Sequence, residues 1–276
     1  MSLLQSVLYG LISGLSEFMP VSSHAHQSLM RYMFGVDTRD SLQDLLVHIG
    51  LIMAIYEACR ERIYLLLREQ KILSTSRRSR QRFLGGRTLY DLRLLTTATV
   101  SLLMGLILSF FTVNMENDLL SLIVFLTINA LILLFSEHAP HGNRDARTMS
   151  RLDGVAIGIV GAFSVFPGIS RTGAICAYAR ARGADSHSTA NWAVLLGIPA
   201  LLFAVFFDVF WMVSAGIGTV TFYAVACYFL SGIASFCGGY LGISILRIAL
   251  NHSGLSGFAY YSIGAALFSF ILYLIT

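Results

Sequence analysis

Two short stretches, LSEFMPVSS (Leu15–Ser23) and FSVFPGIS (Phe163–Ser170), decide how this chain folds. Each places a proline among small or hydroxyl residues at the centre of a segment that is apolar at both ends, Leu3–Phe34 and Val155–Gly183 respectively. Proline has no N–H donor and crowds the preceding turn, so a helix should not continue smoothly through either stretch. We therefore expect two helix–loop–helix hairpins.

The composition places both hairpins in a membrane. The chain has 276 residues, of which 56% are hydrophobic and 12% are charged, and a mean hydropathy of +0.71 excludes a soluble domain of this length. Irregular backbone at bilayer depth is tolerated only where protein buries it or a cavity wets it, so we interpret both hairpins as re-entrant. Six further segments are each near or above the ~20 residues that span a bilayer. These predicted spans are Ser41–Cys59, Leu94–Val113, Leu119–Phe135, His187–Val213, Thr219–Leu250 and Phe258–Ile275.

Basic residues set the predicted orientation. Ten of the nineteen Lys and Arg lie between Arg60 and Arg93, including the cluster Arg77–Arg82, and the positive-inside rule assigns this loop to the cytoplasm. The cluster Arg144–Arg151 marks a second inside loop, which is consistent because two spans separate the loops. Both termini are then outside. The net charge of +4 describes these loops, so we do not infer nucleic-acid binding from it.

The two deciding stretches also align with each other, with a single gap, at an offset of a little over half the chain. Each half, 1–137 and 138–276, is then one hairpin followed by three spans. An odd number of spans inverts the second half relative to the first. Inverted repeats with broken helices near the midplane are typical of transporters, and their binding sites lie between the breaks. The predicted fold is an all-α integral membrane protein with six transmembrane helices and two re-entrant hairpins in an inverted repeat.

Each hairpin carries one charged residue at depth, Glu17 in the first and Arg171 in the second. A charge there costs at least ~2.5–3.5 kcal/mol on insertion scales, which makes both residues functional candidates. The simpler alternative is that they only pair with each other across the repeat interface. That alternative does not explain why hydroxyl and imidazole groups cluster around them.

The first motif supplies Ser22, Ser23 and His26 beside its carboxylate, which together could provide a nucleophile, a proton carrier and a ligand for a divalent cation. The second motif surrounds its guanidinium with small and hydroxyl residues. Small residues let backbone N–H groups approach an anion, and a helix that begins there adds its positive dipole end. This combination suits phosphate. The residues of the second motif are Gly168, Ser170, Thr172 and Gly173.

Three other ionisable residues carry less specific expectations. His24 points to a different helix face from His26 and is expected on the pocket wall or in an outer layer of the site. His48 faces either the cavity or a hydrogen-bonded core position, and the residues alone do not decide between them. Asp208 lies near a predicted outer membrane boundary, where we expect a solvated carboxylate.

The motifs SEFMPVSSHAH (Ser16–His26) and PGISRTG (Pro167–Gly173) resemble the two signatures of the BacA/UppP family, the bacterial undecaprenyl-diphosphate phosphatases. The resemblance extends along the chain and includes LVHIG (Leu46–Gly50) and LLGIPA (Leu195–Ala200). It implies hydrolysis of undecaprenyl diphosphate to undecaprenyl phosphate and inorganic phosphate at the outer face of the bacterial plasma membrane. That reaction recycles the lipid carrier for cell-wall synthesis.

The resemblance also implies roles for individual residues. Glu17 matches the second acid of an (E/Q)xxxE pattern, Ser23 and His26 match the proposed nucleophile and imidazole, and Arg171 matches the arginine that binds the diphosphate. The implied cofactor is Mg²⁺ or Ca²⁺, held by Glu17 with Ser13 nearby. The implied partners are a polyprenyl diphosphate lipid and the membrane.

Three positions depart from the family pattern. Ser13 stands where the pattern has its first acid or amide, Ala25 replaces a glycine, and Ile175 replaces a threonine. These departures motivate an alternative function, an undecaprenyl-phosphate transporter or flippase on the same fold. The glycine-rich stretch Gly232–Gly242 permits close helix packing between two chains as easily as within one, so a homodimer is a further candidate assembly.

Overall fold

The computed structural model describes residues 1–36, 40–75, 87–112, 115, 118–139, 142–215, 221–252 and 254–275. Within these ranges the regular secondary structure is helical, and no β-sheet is formed. The α-helices, in chain order, are α1 (Leu3–Phe18), α2 (Ser23–Phe34), α3 (Ser41–Thr75), α4 (Arg87–Leu102), α5 (Met104–Thr112), α6 (Leu119–Glu137), α7 (Arg151–Ala162), α8 (Arg171–Ala181), α9 (Ser186–Leu195), α10 (Gly197–Ala215), α11 (Phe222–His252) and α12 (Ser256–Ile275).

Six helical segments of the described chain are long and apolar enough to cross a membrane, which confirms the predicted number of spans. Two of them are interrupted and consist of α4 with α5 and of α9 with α10. The basic cluster Arg77–Arg82 lies outside the described residues. The sidedness of the termini and of the basic loops stays a prediction. The six segments are Ser41–Ile72, Thr88–Ser109, Leu119–Glu137, Ser186–Ser214, Phe222–His252 and Ser256–Ile275.

Both predicted helix breaks are present. After α1 the backbone turns extended at Met19, and Ser22 adopts a left-handed conformation with φ 68° before its hydroxyl caps α2. After α7 a short 3₁₀ turn, Phe163–Val165, leads to Gly168 with φ 121° and to Ser170, whose hydroxyl caps α8 by accepting from the Gly173 N–H. Whether these helix–break–helix segments re-enter the bilayer from one side stays a prediction.

Each hairpin packs against a helix from the other half of the chain. Helix α1 lies along α11, which belongs to the second half, and α7 lies along α4, which belongs to the first. Helices α3 and α10 pack together, as do α6 and α12. An inverted repeat requires reciprocal pairings of this kind. The exact boundary between the two repeats, at residues 137 and 138, stays a prediction.

Glycines bring the backbones of α1 and α11 into direct contact. A Cβ atom on Gly10 would overlap the Ser231 carbonyl, and one on Gly238 would overlap the Leu11 carbonyl. Close approach of small residues is a general way to join helices in membranes. The glycine-rich stretch of α11 is therefore used within this chain, and the homodimer stays a prediction.

We expect Gly10→Ala to lower stability, because the added methyl group cannot fit without separating α1 from α11. Overpacking of this kind typically costs roughly 1–3 kcal/mol. Thermal unfolding of the purified protein in detergent would show a lower midpoint. Gly264→Ala is the matched control, since a Cβ there meets no atom within 4 Å. An equal midpoint shift in both variants would contradict the close contact.

Candidate active site

The tips of the two hairpins meet at Asn129, a fully buried residue of α6. Its Nδ2 donates to the Pro20 carbonyl at 3.0 Å, and its Oδ1 accepts from the Ser170 N–H at 3.0 Å. Nδ2 also donates to the Ser262 hydroxyl of α12 at 3.2 Å. One amide therefore satisfies backbone groups that both helix breaks leave without a helical partner. Asn129 was not among the predicted site residues, although an amide inside an otherwise apolar span is a signal that could have identified it.

Three predicted substrate-binding hydroxyls also connect the tips. Ser22 Oγ accepts from the Gly168 N–H at 3.2 Å, Ser170 Oγ donates to the Met19 carbonyl at 3.2 Å, and Thr172 Oγ1 donates to the Glu17 carbonyl at 3.0 Å. Each bond crosses from one hairpin to the other.

The two glycines of the second motif also serve the backbone. Gly168 needs its freedom because φ is 121° and a Cβ would lie 2.6 Å from the Leu126 nitrogen. The Gly168 and Gly173 N–H groups, which we expected to face an anion, donate to serine hydroxyls of the tips.

Glu17, Ser23 and Arg171 are brought together where the tips meet. Glu17 Oε1 lies 3.0 Å from Arg171 Nη2, and the Ser23 hydroxyl donates a short hydrogen bond to Glu17 Oε2. The carboxylate thus stands between a hydroxyl and a guanidinium. This is the arrangement of a nucleophile with an adjacent base that a third group orients.

Arg171 keeps donors available despite this ion pair. It is 7% exposed, and its Nε and Nη2 atoms are buried without a hydrogen-bond partner among the described residues. Nη2 is close enough to Glu17 for charge attraction, but its N–H groups do not point at the carboxylate in hydrogen-bond geometry. Unsatisfied buried donors cost about 1–3 kcal/mol each, more for charged groups, so an anionic ligand would find them ready.

A cavity of about 560 Å³ opens above this cluster. Glu17, Ser23, Ser170 and Arg171 line it at the hairpin tips, where α8 begins and presents its positive dipole end. Apolar side chains of α5 and α10 form much of its wall, and the cavity extends to the ends of α2, α3, α5 and α10. Of the other predicted site residues, Ser22, His26, Gly168, Thr172 and Gly173 are not part of the lining. The apolar wall includes Leu102, Leu106, Val165, Leu201, Phe203, Ala204 and Phe207.

Two histidines line the cavity, and they are not the one singled out from the sequence. His24 and His48 both contribute to the lining. His26 instead faces α12, where Nδ1 donates to the Ser22 carbonyl at 2.7 Å and Nε2 is 2.7 Å from the Tyr261 hydroxyl. Since a carbonyl only accepts, Nε2 of the neutral ring accepts from that hydroxyl. Both nitrogens of His26 are thereby engaged.

His48 is oriented by a carboxylate. Its Nδ1 lies 2.6 Å from Oδ2 of Asp208. Asp208 belongs to α10 and is 2% exposed. The expectation that Asp208 is solvated is therefore wrong, because the imidazole gives this carboxylate a partner inside the protein. When Nδ1 of the neutral ring donates to this carboxylate, the acceptor lone pair lies on Nε2.

Sequence comparisons agree with this geometry. The sequence model of the family described as "Bacitracin resistance protein BacA" matches residues 6–268. The chain belongs to this BacA family. It is similar to a protein of Prochlorococcus marinus named "Undecaprenyl-diphosphatase", with 28% identity over 265 residues that cover 95% of this chain and 96% of the relative. It is also similar to proteins of that name from Alkaliphilus metalliredigens, 26% identical with 95% of each chain covered, and Methanosphaera stadtmanae, 29% identical with 95% and 94% covered.

The BacA motifs lie inside the matched range, and the structure shows what surrounds their departures. Ser13 is fully buried in α1, one turn before Glu17, and its Oγ has no hydrogen-bond partner in the part of the chain that the structure describes. Ile175 is also fully buried and belongs to the hydrophobic core. Neither side chain lines the cavity.

The described residues fit a divalent ion in one way only. They contain no group of three or more His, Cys, Asp or Glu that would hold an ion by itself. Among the described residues, Glu17 is the single carboxylate of the cavity lining. Mg²⁺ is often bound by one or two carboxylates together with substrate phosphates. A divalent ion at this BacA site would therefore have to bind together with a diphosphate, because Ser13 is fully buried outside the cavity lining and its hydroxyl is not placed as a second ligand.

Proposed function

We propose that this chain hydrolyses undecaprenyl diphosphate to undecaprenyl phosphate and inorganic phosphate, and so recycles the lipid carrier of cell-wall synthesis. The observation that carries the proposal is the Ser23–Glu17–Arg171 cluster at the base of an apolar-walled cavity. A hydroxyl, a base and an anion-binding guanidinium suit the diphosphate, while the apolar wall suits an isoprenoid tail. The named relatives are diphosphatases, and none of these observations favours transport over hydrolysis.

In the first step, Arg171 and the N-terminus of α8 hold the diphosphate. Ser23 Oγ attacks the terminal phosphorus while Glu17 Oε2 accepts the hydroxyl proton. The bond from this phosphorus to the bridging oxygen breaks, and undecaprenyl phosphate leaves with the bridging oxygen. The guanidinium stabilises the charge that develops on the phosphoryl oxygens. Ser23 is then a phosphoserine.

In the second step, water hydrolyses the phosphoserine. His48 accepts a proton from the attacking water, and Asp208 holds the ring in the required orientation. The phosphorus–oxygen bond to Ser23 breaks, and Ser23 recovers its proton from Glu17. Orthophosphate is released, and the proton on His48 passes to solvent or to the departing phosphate. In this scheme His26 positions α2 through its bonds to Ser22 and Tyr261.

Glu17 is the residue that would hold a Mg²⁺ or Ca²⁺ ion bound together with the diphosphate. Such an ion would neutralise part of the phosphate charge. The apolar wall of α5 and α10 would take the lipid tail. By the positive-inside rule, the cavity end formed by α2, α3, α5 and α10 opens to the outer face of the plasma membrane.

The direct test is release of inorganic phosphate from undecaprenyl diphosphate and farnesyl diphosphate by the purified protein, with Mg²⁺, with Ca²⁺ and with a chelator. We expect turnover, and we expect Arg171→Gln to lower it about 100- to 1000-fold, as for loss of a donor that stabilises developing charge. Arg60→Gln, which changes an exposed arginine, should not alter it. Translocation of undecaprenyl phosphate by a protein that releases no phosphate under any of these conditions would favour the flippase alternative.

The role of His48 predicts a trapped intermediate. His48→Gln should slow turnover about 100-fold, the lower range for loss of an acid–base group. Because the second step is the one affected, phosphorylated Ser23 should accumulate, and mass spectrometry of acid-quenched protein would detect it. Asp208→Asn should show the same accumulation to a smaller degree, since it acts by positioning the ring.

His252→Gln is the matched control for His48, because His252 is exposed at the end of α11. It should leave both turnover and phosphoserine level unchanged. Slower turnover of His48→Gln without any phosphoserine would show that His48 does not act in the second step.

A further inference from the structure

One face of α2 carries a row of three polar side chains. The proposed reaction uses only the first of them. Ser23, Gln27 and Arg31 are spaced four residues apart, so they lie on the same face of the helix. All three line the cavity. The row begins at the cleavage site and runs toward the cavity end where α3 begins at Ser41.

Arg31 and its neighbour in the row, Gln27, are both buried. Arg31 is 8% exposed and Gln27 is 6% exposed. The Nη2 atom of Arg31 donates to the Ser28 hydroxyl at 3.3 Å. In the part of the chain that the structure describes, no ion pair to a carboxylate is formed by Arg31. Its place in the last turn of α2 gives it a favourable helix dipole, but that interaction is equally available in water and does not require a cavity.

The charges of the lining residues leave a cationic surplus at Arg31. Among the residues that the structure describes, Glu17 balances Arg171, and Arg31 is the remaining arginine of the lining. Eight residues separate it from Ser23, which is about 12 Å along the helix axis. Arg171 and the N-terminus of α8 already supply the anion-binding groups at the Ser23 end of the cavity, and Arg31 lies two helical turns away along α2. Arg31 can therefore bind an anion other than the one cleaved.

We propose that Arg31 and Gln27 form a second phosphate-binding site in the cavity. The ligand is a single phosphate group, which Arg31 binds by charge-assisted hydrogen bonds and Gln27 by its amide N–H. Its source is either orthophosphate on its way out of the cavity or the headgroup of a prenyl monophosphate. Only the assignment of this source rests on the proposed function, because the site itself is defined by the lining residues.

The test measures binding of radiolabelled orthophosphate to the purified protein by equilibrium dialysis, which requires no turnover. We expect two classes of site, one lost in Arg171→Gln and the other weakened about tenfold or more in Arg31→Gln. Arg31→Lys should retain part of the affinity. Arg60→Gln, an exposed arginine outside the cavity, should bind as the wild type does. Gln27→Leu provides a second variant should Arg31→Gln fail to fold by size-exclusion chromatography.

The outcomes separate this proposal from the proposed function. Orthophosphate binding that is the same in Arg31→Gln, Gln27→Leu and the wild type would overturn the second site, even in a fully active enzyme. A protein without turnover that loses one class of site in Arg31→Gln would overturn the proposed function and retain the site. Farnesyl monophosphate added as competitor identifies the source, since displacement from the Arg31-dependent site points to a lipid headgroup and no displacement points to free phosphate.

Discussion

Ser23→Ala is expected to lower phosphate release from farnesyl diphosphate by at least about 1000-fold, because it removes the oxygen that attacks the terminal phosphorus. Glu17 would lose the hydroxyl that donates to its Oε2 but keep its ion pair with Arg171. Substrate binding should therefore change much less than turnover. The measurement is a full rate curve that gives kcat and KM separately.

Ser244→Ala is the matched control for this prediction. Ser244 is a helical serine on α11 whose hydroxyl bonds only the Tyr240 carbonyl of its own helix among the described residues. Its replacement should leave both constants unchanged. If Ser23→Ala retained most of its turnover, the nucleophile would have to be water, and the covalent route through phosphoserine would be excluded.

Asn129→Leu should both destabilise the protein and abolish most of its activity. The substitution keeps the side-chain volume but leaves the Ser170 N–H and the Pro20 carbonyl without their partner. Each buried unsatisfied group costs about 1–3 kcal/mol. Because these groups belong to the two different hairpins, the distance between Ser23 and Arg171 should no longer be fixed. A lower unfolding midpoint in detergent together with loss of phosphate release is the expected result.

Thr127→Val is the neighbouring control on α6. Thr127 is exposed, and its hydroxyl bonds the Ile123 carbonyl of the same helix. This variant should unfold and turn over as the wild type does. Full activity of Asn129→Leu would show that the hairpin tips hold their positions without the shared amide.

Much of the fold could be predicted because its determinants are local. Proline in the interior of a helix removes a backbone donor and crowds the preceding turn, so Pro20 and Pro167 predict helix breaks. Apolar runs of sufficient length predict membrane spans. The ion pair between Glu17 and Arg171 was the simpler alternative considered from the sequence, and the structure contains it. Two charges that cost free energy at bilayer depth must find partners, and the repeat placed their hairpins in equivalent positions.

The rest of the site depends on contacts that the sequence does not encode locally. His48 and Asp208 are separated by 160 residues and belong to different predicted spans, so the pair emerges only when α3 packs on α10. The sequence could not show which histidine of the first motif faces the cavity, because that depends on how α2 is rotated about its axis. His24 and His26 are only two positions apart and point to different faces of the helix. The helix starts at Ser23, which directs His24 to the cavity and His26 to Tyr261.

The hydroxyl groups show why motif residues are hard to assign from spacing. Ser22, Ser170 and Thr172 were predicted to bind substrate, and the structure joins them to backbone groups of the opposite hairpin. A helix break inside a membrane exposes N–H and C=O groups that must be satisfied by protein. Small hydroxyl residues meet that need and the needs of phosphate equally well. Residue type alone does not distinguish the two roles.

The bonds that cross between the hairpin tips also have a consequence for synthesis of the chain. Residues 1–137 leave the ribosome first, yet Glu17, Met19 and Ser22 have partners in the second half, namely Thr172, Ser170 and Gly168. Until the second half inserts, these groups of the first hairpin lack their hydrogen-bond partners. We expect the nascent half to be the species that proteases and chaperones recognise, and catalytic competence to begin only when the last helices arrive.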